Sequence, residues 1–176
     1  MAKYLVLLGT PRDLNIPYFA MGAPSSRENG VVRLGIVGLE KLAGRRCAAW
    51  VKSQKDRDKI GLVETRNYIP LKTAFYATWL VFQDQSASEK FLEAFPYLRL
   101  DERISKITEE REALVADLDR RRHRRDFDLS RVGDEQQRTN LARRYVEATD
   151  KLHQLDVQFR LLETAKELVP EWQDKL

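Results

Sequence analysis

Residues 141–162 read LARRYVEATDKLHQLDVQFRLL, and their apolar positions decide how the C-terminal part of the chain is built. Leu141, Tyr145, Ala148, Leu152, Leu155, Phe159 and Leu162 step alternately by four and three. Val169 continues the series after Lys166 interrupts it. A 3.5-residue spacing puts all these side chains on one stripe of a helix. A stripe of that kind must be covered by another helix or domain, so the purpose of the segment is contact.

Upstream of this seam, Asp101 opens a charged helix whose apolar positions are Ile104, Ile107, Leu114 and Leu118, with Arg111 in the one missing slot. The segment Asp126 to Gly133 breaks the pattern. Asp134 followed by Gln137 is a capping-box-like start for the seam helix, and Pro170 marks its expected end. Two helices, about 101–125 and 134–169, joined by about eight residues are most simply an antiparallel hairpin. Folding about that loop opposes Leu118 with Leu141, Leu114 with Tyr145, Ile107 with Leu152 and Ile104 with Leu155. Arg111 then falls opposite Ala148. At 1.5 Å per residue the helices span roughly 37 and 52 Å, so the second overshoots the first. Phe159, Leu162 and Val169 need other cover, from Phe91, Leu92, Phe95 and Leu98 or from another chain. The competing arrangement is a self-associating parallel coiled coil through the seam.

Nearer the N-terminus the period changes from helical to two. Lys3 to Leu8 reads as a buried strand ended by Gly9-Thr10-Pro11. Residues 10–30 carry three prolines and a polar run, a long loop of the kind that tends to be functional. Val31 to Val37 is strand-like, and Leu39 to Leu42 is a short helix stopped at Gly44. Arg46 to Ser53 and Ile60 to Arg66 read as strands around the turn Lys55 to Lys59. Leu71 to Gln83, with Phe75, Ala77, Trp79 and Val81 on one face, reads as a strand covered on both faces. Ser86 or Ser88 caps a short helix holding Phe91, Leu92 and Phe95. The expected fold is α+β: a small β-rich N-terminal domain of about five strands, residues 1–98, followed by the helical hairpin arm, residues 99–176.

Composition narrows the function. The 176 residues are enough for one modest core. The single cysteine, Cys47, excludes an intramolecular disulfide and fits a reducing compartment. Tyr4 to Leu8 is too short for a signal-peptide core, and the longest uncharged apolar run, Ala74 to Phe82, is far below the ~20 residues of a membrane span. A cytoplasmic protein that does not enter a membrane is expected.

The net charge of +4 is unevenly spread. Residues 41–72 hold nine basic and three acidic residues. With Trp50 available for stacking, this stretch is a candidate nucleic-acid surface through Arg45, Arg46, Trp50, Lys52, Lys55 and Lys59. The run Arg120 to Arg125 is different. Its six successive residues point all round a helix, and its five arginines together with Arg131 are balanced by Asp117, Asp119, Asp126, Asp128, Asp134 and Glu135.

Phe127, Leu129 and Val132 lie beside that run, where an apolar wedge rimmed by Arg121, Arg124 and Arg125 is suited to a protein partner. Catalytic signals are poor. Cys47 beside Arg45 and Arg46 has no histidine near it in sequence, since His123 and His153 lie in the helices. One Cys and two separated His do not make a closed zinc site, and no phosphate-binding glycine motif occurs. The reading is a non-catalytic interaction or scaffold subunit of a larger complex, without cofactor or metal. It contacts a protein partner through the hairpin arm, with a nucleic-acid-binding subunit as the alternative.

Overall fold

The computed structural model describes residues 3–9, 27–28, 31–34, 38–69, 73–124, 128–129 and 132–176, and for 27–28, 31–34, 66–69 and 73–76 the backbone alone. The protein is α+β, with an antiparallel sheet and long C-terminal helices. Its elements are β1 (Tyr4–Gly9), β2 (Arg27–Glu28), β3 (Val31–Leu34), α1 (Leu39–Ser53), β4 (Ile60–Ile69), β5 (Thr73–Phe82), α2 (Gln85–Ala94), α3 (Leu100–His123) and α4 (Glu135–Lys175). The chain divides into two compact units. One is Met1–Glu102 with Ala165–Leu176, and the other is Arg103–Thr164. The last twelve residues, grouped with the hairpin arm on sequence, thus cluster with the sheet.

The sheet order is β1-β5-β4-β3-β2. Three strands carry it: β1 of six residues, and β4 and β5 of ten each, paired from Ile60↔Phe82 to Ile69↔Thr73. The expectation of about five strands is corrected here. Of the five segments read as strands, Val31 to Val37 has as its described part the four-residue strand β3, between β4 and the two-residue β2, and Arg46 to Ser53 is not a strand at all. That segment is the second half of α1. Its buried residues Cys47, Ala48 and Val51, with Leu39 and Leu42 before them, follow helical spacing. Alanine, Arg and Lys around them are good helix formers, which a short apolar run conceals.

Gly44 does break the helix, as expected, with φ +83° and ψ 165°. That conformation is open essentially to glycine alone, and the helix resumes after it.

Both faces of the central strands are buried, as β5 promised. Val6, Leu8, Ile60, Leu62, Leu80 and Phe82 face a core completed by Leu39, Leu42, Cys47, Val51, Phe91 and Phe95 of α1 and α2. The rings of Phe82, Phe91 and Phe95 stack at tilted angles, 4.9–5.5 Å apart. On the other face Leu7, Val63, Thr65, Ala77, Trp79 and Val81 are equally buried. There the Trp79 indole N–H donates to Thr65 Oγ1 at 2.8 Å, so the buried ring leaves no donor unpaired. Asp84, two residues before the expected Ser86, caps α2: its carboxylate accepts from the Ala87 N–H at 3.0 Å.

α4 does not stop before Pro170, which lies inside it. A proline there removes one backbone bond and costs about 3 kcal/mol in a free helix. The offsetting gain is Trp172, two residues further on, which is 1% exposed. Lys166, the break in the seam, also has a role in this unit: its Nζ meets Asp101 Oδ1 at 2.8 Å.

In the helical unit α3 and α4 run antiparallel. Arg111 of α3 pairs with Asp156 of α4, and Arg122 Nη2 donates to Tyr145 Oη at 3.3 Å, so partners ascend on one helix as they descend on the other. These partners also correct the expected pairing. Arg111 meets Asp156 and not Ala148, and Tyr145 meets Arg122 and not Leu114, so both contacts move the register by the same eight residues. Asp134 starts α4 as expected, its Oδ1 accepting from the Gln136 N–H at 2.9 Å.

Candidate interaction surfaces

The hairpin turn is built by side chains that spend themselves on backbone. Arg138 Nε donates to the Val132 carbonyl, tying the turn to the first turn of α4. His123 Nδ1 donates to the Asp119 carbonyl at 2.7 Å and closes the end of α3. Leu129 stands 42% exposed between these anchors, and Val132 is half-buried.

Among the arginines, Arg121 holds Asp117 at 2.7 Å with Arg120 on the same carboxylate at 3.7 Å. Arg124 is exposed and makes no ion pair among the described residues. Phe127 and Arg125 lie outside the described residues. Of the expected partner-binding set, the structure therefore brings Leu129, Val132, Arg121 and Arg124 to one turn.

The basic stretch takes a different form from the one expected. Arg45, Arg46 and Lys52 lie on the exposed side of a helix, and Lys55, Arg57 and Lys59 follow in the turn after it. Three cations there are already matched: Arg45 by Glu40 at 3.1 Å, Lys59 by Asp56 at 3.3 Å, and Arg57 by its neighbour Asp58 at 4.0 Å. Lys41, Arg46, Lys52 and Lys55 are exposed and have no ion pair among the described residues.

Trp50 is half-buried with its ring edge-on to Phe91, 5.1 Å away, so its main partner is the core. The side chain of Arg66 and all of Lys72 fall outside the described residues.

Sequence reasoning missed Tyr97. It follows Pro96 in a short 3₁₀ turn, is 60% exposed, and stands edge-on to Phe95 at 6.2 Å. Its hydroxyl lies 3.4 Å from Cys47 Sγ. That hydrogen bond, part burial and the charge of the Cys47 thiolate push the phenol up to about 12, against a downward pull from Arg46. No sequence signal joined positions 47 and 97, which only the packing of α1 on the 3₁₀ turn brings together.

Cys47 itself is fully buried, and both histidines belong to the other compact unit. An open cleft in the sheet unit is lined by Lys3, Asp58, Lys59, Val63, Val81 and Leu176 among others, mixing charges over an apolar floor. Among the described residues no group of three or more His, Cys, Asp or Glu is placed to hold a metal ion. Among the same residues no helix is long and apolar enough to cross a membrane. Comparison with protein-family models, with curated proteins and with solved structures finds no significant match.

Proposed function

We propose that the chain is a non-catalytic interaction subunit that meets a protein partner through its helical hairpin. The observation that carries this reading is the state of the seam. Leu118, Leu155 and Leu162 are its only fully buried large residues, whereas Ile104, Ile107, Leu114, Leu141, Tyr145, Leu152 and Phe159 stay half open. Two helices cover each other along a line and leave the flanks of that line to a partner. Leu129 with Arg124 beside it supports the turn as one contact point, since interfaces favour apolar and arginine groups together.

The test is affinity capture with the tagged full chain and with a Leu129→Ser, Arg124→Glu double variant. Loss of the wild-type partner supports the turn as the interface, and unchanged recovery removes it.

A second reading, nucleic-acid binding, is favoured by the exposed cations Lys41, Arg46, Lys52 and Lys55, which have no ion pair among the described residues. Contacts to about four phosphates give a log–log salt slope of roughly −3 to −4. Replacing the four cations by Glu then abolishes binding to a mixed single-stranded oligonucleotide. No binding by the wild type at low salt ends this reading.

A further inference from the structure

One stripe of α4 next to the seam differs in charge from the opposite side of the same helix. Thr139, Ala142, Val146, Thr149 and His153 of α4 step by three and four and form a second stripe beside the seam. No Asp, Glu, Lys or Arg occurs on it. The other side of α4 over the same turns carries Arg144, Glu147 and Lys151, all exposed.

On α3 the positions flanking the seam on the same side include Thr108 and Val115. Val146 is 53% exposed and Val115 37% exposed, which makes them two of the few large apolar residues left open to solvent among the described ones. Each threonine of this side has turned its hydroxyl back to its own helix: Thr108 to the Ile104 carbonyl at 2.9 Å, Thr139 to Glu135 at 3.0 Å, and Thr149 to Tyr145 at 3.0 Å. Three donors that could have held water or a polar partner are thus already satisfied. The α4 stripe is uncharged and its hydroxyl protons are spent, while on α3 the exposed Glu112 and Asp119 share the side of Thr108 and Val115.

Charge along the unit says what kind of partner fits. Around the turn, residues 119–144 hold nine basic and five acidic residues, an excess of four positive charges. The remainder of the unit, 103–118 and 145–164, holds five basic and eight acidic, an excess of three negative. The unit is therefore electrically polar along its length. A second copy laid antiparallel sets each positive end beside the other's negative half. A parallel copy sets like against like.

We propose that this side binds a second copy of the chain, antiparallel, about a twofold axis at Val146. This inference rests on the reading of the helical unit as a contact element and names one of its partners. Under a twofold at Val146, Ala142 lies against Thr149 of the other copy, and Thr139 against His153. Small side chains at Ala142 and Thr149 allow the helices to approach closely, and Val146 packs on its own counterpart at the centre. Arg144, Glu147 and Lys151 stay in water on the far side.

The test is sedimentation velocity of the full chain from about 5 to about 200 μM, where interfaces of modest area associate. The weight-average mass of the wild type rises toward twofold. The Val146→Asp variant puts two carboxylates against each other at the axis and stays monomeric at every concentration. Because Val146 is exposed, its circular dichroism and melting stay as in the wild type. Orientation is read with a short bis-maleimide on Thr139→Cys and His153→Cys made as separate proteins, the wild type serving as control for the buried Cys47. Mixed, they cross-link; each alone does not.

A wild type monomeric throughout overturns the proposal, as does a dimer indifferent to Val146→Asp. Cross-linking of each single variant alone overturns the antiparallel arrangement. The Leu129→Ser, Arg124→Glu variant keeps the dimer while losing its captured partner. Absence of a dimer with that partner still lost would sink this inference and leave the broader one standing.

Discussion

The two compact units use apolar residues in opposite ways. In the sheet unit, β1, β4 and β5 bury both faces, and side chains as large as Trp79, Phe82 and Phe91 are wholly enclosed. In the helical unit the apolar residues of the seam lie along one line, and most remain half open. A sheet between two layers gives each residue neighbours above, below and beside it. A pair of helices gives each residue neighbours on one side only. The first arrangement concentrates stability and the second leaves surface for contact, so substitutions of the same chemistry should cost unequally in the two units.

The largest expected effect tests that inequality directly. Trp172→Ala empties an enclosed site in the sheet unit and should cost about 3–5 kcal/mol by guanidinium unfolding. Leu152→Ala, on the half-open seam, should cost about 1–2 kcal/mol, because much of that side chain already touches water. Equal costs would break the comparison. Trp172→Ala also removes the burial that offsets Pro170, so the last turns of α4 should lose amide protection well before the rest of the helix.

Glycine substitutions sharpen the contrast at the next scale. A Cβ on Gly44 would meet no atom within 4 Å, so its cost is backbone strain alone. At φ +83° Gly44→Ala should cost about 1–3 kcal/mol. Gly133, in the hairpin turn, also has open space around its Cβ position and does not have a positive φ. Gly133→Ala should therefore stabilise by about 0.4–1 kcal/mol through the unfolded chain. The same substitution thus changes sign between units, and matching signs from urea melts would show that Gly44 tolerates a side chain.

How much of this was legible follows from the range of the interactions. The seam helices, Asp134 as cap, the break at Gly44 and the doubly covered strand β5 rest on patterns within one element, which a sequence displays. The second half of α1 was misread because Cys47-Ala48-Ala49-Trp50-Val51 is apolar enough for either period and too short to decide between them. The α4 helix ran through Pro170 because of a tertiary gain at Trp172 that no local rule contains. The eight-residue offset of α3 against α4, shown alike by Arg111 with Asp156 and by Arg122 with Tyr145, is set between helices, where no pattern within one helix displays it. Tyr97 came to Cys47 only by packing over 50 residues of chain. The exposed stripe at Val146 was written in the sequence as an uncharged 3–4 spacing, but it lay beside a stronger seam that drew the reading to itself.

In the sheet unit, Glu64 tests whether burial there reaches ionisable groups. It lies on β4 between Val32 and Thr78, and burial pushes its carboxyl above the ordinary range. The folded chain therefore holds this proton to a higher pH than the unfolded chain does. The stability linked to the proton is complete below the unfolded pKa and is lost as pH rises through the folded one, so at neutral pH the carboxylate is a burden. Glu64→Gln should raise the melting temperature at about pH 7, and the advantage should shrink to nothing toward about pH 4. An advantage that does not change with pH would mean that Glu64 is hydrated after all.

The smallest expected effect belongs to the helical unit. Arg111 and Asp156 form an ion pair between α3 and α4, with side chains 42% and 35% exposed. Solvent screens such a pair, so a double-mutant cycle through Arg111→Ala and Asp156→Ala should give a coupling of about 0.2–1 kcal/mol, declining as salt is raised. Its value lies in alignment rather than in stability, because an arginine in an apolar slot prefers the one register that offers a carboxylate. Arg111→Leu fills the slot that the seam left open and removes that preference. The variant should melt no lower than the wild type, yet give broader distance distributions between spin labels on α3 and α4. Narrow distributions would show that the apolar seam alone sets the register. A coupling well above 1 kcal/mol would show instead that the pair is shielded from water, contrary to the half-open character of the unit.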